Sequence, residues 1–109
     1  MSGRIGKRFH GPALITNAAA TKYTVPANRR SCIRHIHVSN PTANPVTLTM
    51  SIGADAAGVR IFDAYSVPAN SVLDHYCKYD LEAAEILQAL AGTTNVMTLT
   101  VDGDEEIFA

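Results

Sequence analysis

The sequence predicts an all-β protein, a jelly-roll-like antiparallel β-sandwich of about eight strands with an extended N-terminal arm. Three observations lead there. From Pro12 onward apolar residues recur mostly with a period of two. Breakers at Pro26, "NPTANP", "GADAAG", Pro68 and "AGTTN" are spaced like the turns of a sandwich. A near-identical hexapeptide, "YTVPAN" at 23–28 and "YSVPAN" at 65–70, occurs twice.

Taken in order, residues 1–11, "MSGRIGKRFHG", hold early glycines and several cations with little apolar periodicity, and read as a basic arm preceding a single sandwich domain at 12–109. "SCIRHIHVSN" places Cys32, Arg34, Ile36 and Val38 on one face and Ile33, His35, His37 and Ser39 on the other. "PVTLTMSIG" alternates Val46, Leu48, Met50 and Ile52 against Thr47, Thr49 and Ser51. "VRIFDAYSV" and "SVLDHYCKYDL" follow as further strands, and "VMTLTVDG" repeats the Thr-rich pattern with Met97, Leu99 and Val101. "LEAAEILQAL" has good helix propensity, but ten residues without a convincing cap make a marginal helix, so a turn followed by a strand is preferred.

Each hexapeptide reads as a corner. Tyr and Val finish a strand, Pro sets φ for a turn, and Asn tolerates the left-handed region. Corner, strand, loop and Thr-rich strand occur in that order twice, which suggests two similar antiparallel halves.

At 109 residues and 11.6 kDa the chain is of single-domain size, and 47% hydrophobic content is too high for a disordered chain. No run approaches the roughly 18 apolar residues of a membrane span, and Pro12, Thr16 and Asn17 interrupt any signal-like apolar region. The expectation is a soluble protein of a cytoplasm-like compartment, with no membrane partner and with Cys32 and Cys77 as reduced thiols. The net charge of −1 hides an asymmetry: residues 1–40 carry +7 and residues 41–109 carry −8. Contact between copies and neutralisation within one fold both fit this polarity. A pI near 6.4 and the lack of an aromatic platform argue against nucleic acid as a partner.

Metal binding is the sharpest chemical possibility. "CIRHIH" and "HYC" bring Cys32, His35, His37, His75 and Cys77 into play, and two neighbouring strands would present His35, His37, His75 and Cys77 as four ligands. No paired-cysteine spacing supports such a site, and alternating histidines on a solvent face need no metal. Ser71, Asp74 and His75 lack a nucleophile elbow. "DGDEE" lacks the spaced ligands of a calcium loop and reads as solvated surface. No catalytic residue and no cofactor are expected.

The stretch from Gly11 to Glu105 resembles small virion structural proteins of long-tailed bacteriophages. The resemblance is carried by "LITNAAATKYTVPAN", "IRHIHVSNPT", "TMSIGADAAGVRIFDAY", "VPANSVLDHY", "LEAAEILQALAGT" and "LTVDGDE". It implies a non-enzymatic, multi-copy component of the virion, assembled in the host cytoplasm. A capsid decoration or cementing subunit bound to the major capsid protein, or to other virion proteins, is the leading expectation, as a homo-oligomer and by analogy a trimer. A tail or baseplate accessory protein that binds the host surface is the alternative. On this reading the arm lies across a neighbouring subunit, and Arg4, Lys7, Arg8, His10, Arg29 and Arg30 are interface candidates, partly for the "DGDEE" segment of another copy.

Overall fold

A computed structural model of the chain describes residues 3–107. Eight strands form in order: β1 Gly3–Leu14, β2 Ala20–Thr24, β3 Arg29–Asn40, β4 Val46–Ile52, β5 Arg60–Val67, β6 Ser71–Leu81, β7 Ile86–Ala91 and β8 Thr98–Ile107, with one 3₁₀ turn at Ala57–Val59. They make two four-stranded sheets, β1-β8-β3-β6 and β2-β7-β4-β5. All pairings are antiparallel. First pairs with last, second with seventh, third with sixth and fourth with fifth, so the chain is one long folded-back ribbon rolled into a sandwich. This is a jelly roll.

The core lies between the sheets, where Ile15, Ile33, Ile36, Val38, Leu48, Met50, Leu87, Met97, Leu99 and Val101 are buried together. Alternation explains most of it. On β8, Leu99 and Val101 turn inward while Thr98 and Thr100 stay half-buried. "LEAAEILQAL" divides as expected into a turn, with Ala84 at φ 71°, and strand β7. Pairing with β2 and β4 on both sides outweighs its helix propensity.

The two hexapeptides are corners. Asn28 and Asn70 sit at φ 60° and 52°, the left-handed region that Asn adopts more readily than most residues. Both corners carry the chain from the second sheet to the first, and the third such passage, between β7 and β8, also has a left-handed asparagine, Asn95. The two corners are equivalent, but the two Thr-rich strands are not. β4 lies in the second sheet and β8 in the first, because β7 is interposed in the second half.

Strict alternation fails on β3. Its register slips between Ile33 and His35 against both β6 and β8. Against β8 Arg34 is the extra residue, a β-bulge that lets Ile33 and Ile36 both reach the core while Cys32 and Arg34 lie on the outer face; against β6 the extra residue is on β6, where Cys77 and Lys78 stand opposite Arg34. The expected grouping of Cys32 and Arg34 with Ile36 and Val38 is therefore corrected. Gly103 makes the bulge possible, since a Cβ there would lie 2.0 Å from the Cys32 carbonyl oxygen.

The basic segment is extended, and from Gly3 it is laid along β8 as the edge strand of the first sheet. It runs into Leu14 as part of that strand, so the division at residues 11 and 12 falls inside β1.

Candidate functional site

Among the described residues there is no enclosed pocket. The polar chemistry gathers in two clusters, one inside the sandwich and one on the outer face of the first sheet.

The inner cluster follows from the alternation of β8. Leu99, Val101 and Gly103 face inward, and the next inward position is Glu105, which is fully buried. Its carboxylate accepts hydrogen bonds from Lys7 Nζ at 2.9 Å, Tyr23 Oη at 2.9 Å and Arg29 Nη1 at 2.5 Å. Ser31 Oγ lies 3.0 Å from the same phenol. Phe9 packs on Tyr23 with ring centroids 4.7 Å apart, closing the apolar side. Burial acts to raise the Glu105 pKa, but the donors from Lys7, Arg29 and Tyr23 outweigh it and hold the carboxyl below its ordinary value. Donors from β1, β2 and β3 thus converge on β8, tying both sheets together.

The outer cluster is made by cross-strand neighbours. His37 lies between Asp74 on β6 and Thr100 on β8, while His35 lies between Tyr76 and Asp102. His35 Nε2 is 2.9 Å and His37 Nδ1 2.6 Å from the same oxygen, Asp74 Oδ1. Asp102 Oδ1 is 3.8 Å from the other nitrogen of His35. Tyr76 stacks on His35 with centroids 4.5 Å apart and planes 7° apart. Hydrogen bonds from His37 and then His35 lower the Asp74 pKa.

The four-ligand set His35, His37, His75 and Cys77 is not assembled. His75 is paired with the inward-facing Ile36, and Cys77 Sγ lies 3.5 Å from the Ile33 carbonyl oxygen. Both point inward, His75 packing on Phe62 with centroids 5.0 Å apart. The sheet itself separates them from His35 and His37. Asp74 and His75, neighbours on a strand, point to opposite faces and cannot cooperate with Ser71 as a triad.

The interface candidates fall in different places. Lys7 and Arg29 close on Glu105. Arg4 lies 3.9 Å from Glu106. Arg30 bonds Glu82 at 3.0 Å and lies 3.7 Å from Glu106. Arg8 is exposed and has no ion pair among the described residues. His10 is half-buried, its Nε2 lacks a hydrogen-bond partner, and burial with the nearby Lys22 charge lowers its pKa. Arg34 adds a bond to Asp104 at 2.6 Å.

Contacts between the basic segment and "DGDEE" therefore form within one chain. The description of "DGDEE" as solvated surface is corrected at Glu105. Its burial is legible by extending the Met97, Leu99, Val101 alternation through Gly103. The role of Asp74 depends on strand register, which no local pattern reveals.

No family model matches this chain, and no curated protein matches it. Among solved structures it is similar to a chain in the structure of infectious bursal disease virus Gt strain, with 10% identity and a TM-score of 0.29. The likeness covers 97% of this chain and spans about 30% of the length of that one.

Proposed function

We propose that the protein is a non-enzymatic structural subunit of a phage virion, a multi-copy capsid decoration or cementing protein that binds the major capsid protein. The observation that supports this reading is the state of the first sheet's edges. β1 and β6, 12 and 11 residues long, are both edge strands with unpaired outer backbone groups. They also expose large apolar side chains: Ile5 is 50%, Val72 56% and Tyr76 77% accessible. Long apolar edges on an isolated sandwich invite strand-to-strand association. Repeated copies in a shell, seated on a capsid lattice, cover such edges.

The internal pairing of Arg4, Lys7, Arg29 and Arg30 changes the expected character of assembly. With these cations engaged in their own chain, apolar edge contacts rather than an electrostatic arm carry subunit association, with Arg8 adding a screened contribution. Removing residues 1–10 takes away most of an edge strand, so a point substitution is the cleaner probe.

Localisation in a reconstructed particle tests the reading. Density for many copies on the shell, together with reduced incorporation of a Val72→Lys, Tyr76→Lys variant that still folds, is the expected result. Density confined to the neck, tail or baseplate would replace decoration by the accessory role, and absence from purified particles would overturn a virion role altogether.

A further inference from the structure

We propose that His35, His37 and Asp74 form a binding site for a divalent transition-metal ion of the zinc type on the outer face of the first sheet. The proposal does not depend on a virion role.

Geometry carries it. One ligand atom from each of the three residues lies within 4.8 Å of the others. Tetrahedral zinc with bonds of about 2.0–2.2 Å to nitrogen and oxygen needs donors roughly 3.3 Å apart. The three donors lie close to that spacing before any ion is bound. The backbone already fixes their directions: His35 and His37 are two apart on β3 and share a face, and Asp74 stands opposite His37 on β6. Two imidazoles and one carboxylate suit zinc better than calcium or magnesium, which take oxygen ligands.

The surroundings fit a site rather than a chance surface contact. An ionised carboxylate only accepts, so both rings direct an N–H at Asp74 Oδ1 in the metal-free protein. A metal ion replaces those protons. His35 keeps one proton on Nδ1, the nitrogen facing Asp102, giving the carboxylate–histidine–metal arrangement that orients ligating imidazoles. His37 then carries its proton on Nε2; in each ring the displaced proton moves to the other nitrogen if that nitrogen is bare, and leaves to solvent if it is already protonated. Tyr76, stacked on His35, restricts the ring's rotation. Three protein ligands leave one position for water.

Titration of the metal-free 109-residue chain with zinc chloride, followed calorimetrically, tests this. The expected result is one equivalent bound, and a higher thermal midpoint in zinc. His35→Gln, His37→Gln and Asp74→Asn should abolish binding, and Asp102→Asn should weaken it about 10-fold. His75→Gln and Cys77→Ser, altered on the opposite face, should bind like the parent. Absence of binding, binding that survives in both His37→Gln and Asp74→Asn, or loss in Cys77→Ser would each overturn the proposal. Cobalt added to the unaltered chain provides a readout independent of variant folding. Visible d–d bands without thiolate charge transfer are expected, and a thiolate band would place the metal elsewhere.

Discussion

Glu105 and Asp74 are both carboxylates met by nitrogen donors from neighbouring strands, yet they sit in opposite settings. Glu105 is fully buried between the sheets and is saturated by Lys7, Arg29 and Tyr23. Asp74 stands on an open sheet face, with its side chain 38% accessible and two imidazoles on one oxygen. The inner cluster has lysine and arginine partners, which donate hydrogen bonds but offer no lone pair to a metal, so it fastens strands. The outer cluster has histidine partners, whose ring nitrogens are ligand atoms suited to a transition metal. Partner chemistry and access to water, rather than the carboxylate, separate scaffold from site.

Four experiments would break or sharpen that contrast. The largest effect is expected from Glu105→Gln, which removes the charge on which Lys7 and Arg29 converge. A loss on the order of 3 kcal/mol should appear in urea unfolding, at the low end for breaking a buried ion pair because both cations are 35% accessible and regain water. The same carboxylate makes stability depend on pH. Its pKa is lower in the folded chain than the ordinary 4.5, so its contribution is complete above that value and disappears as pH falls through the folded pKa. Thermal midpoints should drop as pH falls below about 4.5 in the parent and follow a flatter course in Glu105→Gln. An unchanged slope would show that Glu105 is not the group responsible.

A smaller effect is expected from Asp74→Asn. In metal-free buffer its thermal midpoint should stay close to the parent's, since an exposed pair adds little to stability. A drop comparable to that of Glu105→Gln would make the outer cluster a second fastening.

The smallest concerns the inward face of β6. Burial, with a lesser contribution from the Cys32 charge, pushes the Cys77 thiol up to about 11. At pH 8 it should react slowly with a disulfide reagent in the native protein and rapidly after unfolding. Fast native labelling would mean that β6 opens and that the two faces are less separate than the register implies.

Much of this architecture is legible locally. Val46, Leu48 and Met50 declare an inward face by alternation, and Pro26, Asn28, Pro68 and Asn70 declare the corners by the backbone angles they favour. The candidate site is less legible. His35 and His37 share a face on any straight strand, but the addition of Asp74 and the exclusion of His75 and Cys77 follow from the register of β3 against β6. The bulge at Arg34 alters which side each residue takes, and it needs the space left by Gly103 on another strand.

The sequence by itself determined most strand positions beyond the first, turn chemistry and the polarity of charge along the chain, because periodicity, backbone preference and composition act over a few residues. Only the tertiary structure decided where opposite charges meet. Lys7 and Glu105 are 98 residues apart and become hydrogen-bonded because the first strand pairs with the last. Alternation places Glu105 inward, but the cations that keep it ionised come from strands whose proximity exists only once the ribbon has rolled. That long-range pairing turned an apparent surface for other copies into an internal fastening, and left the histidine face open to solvent.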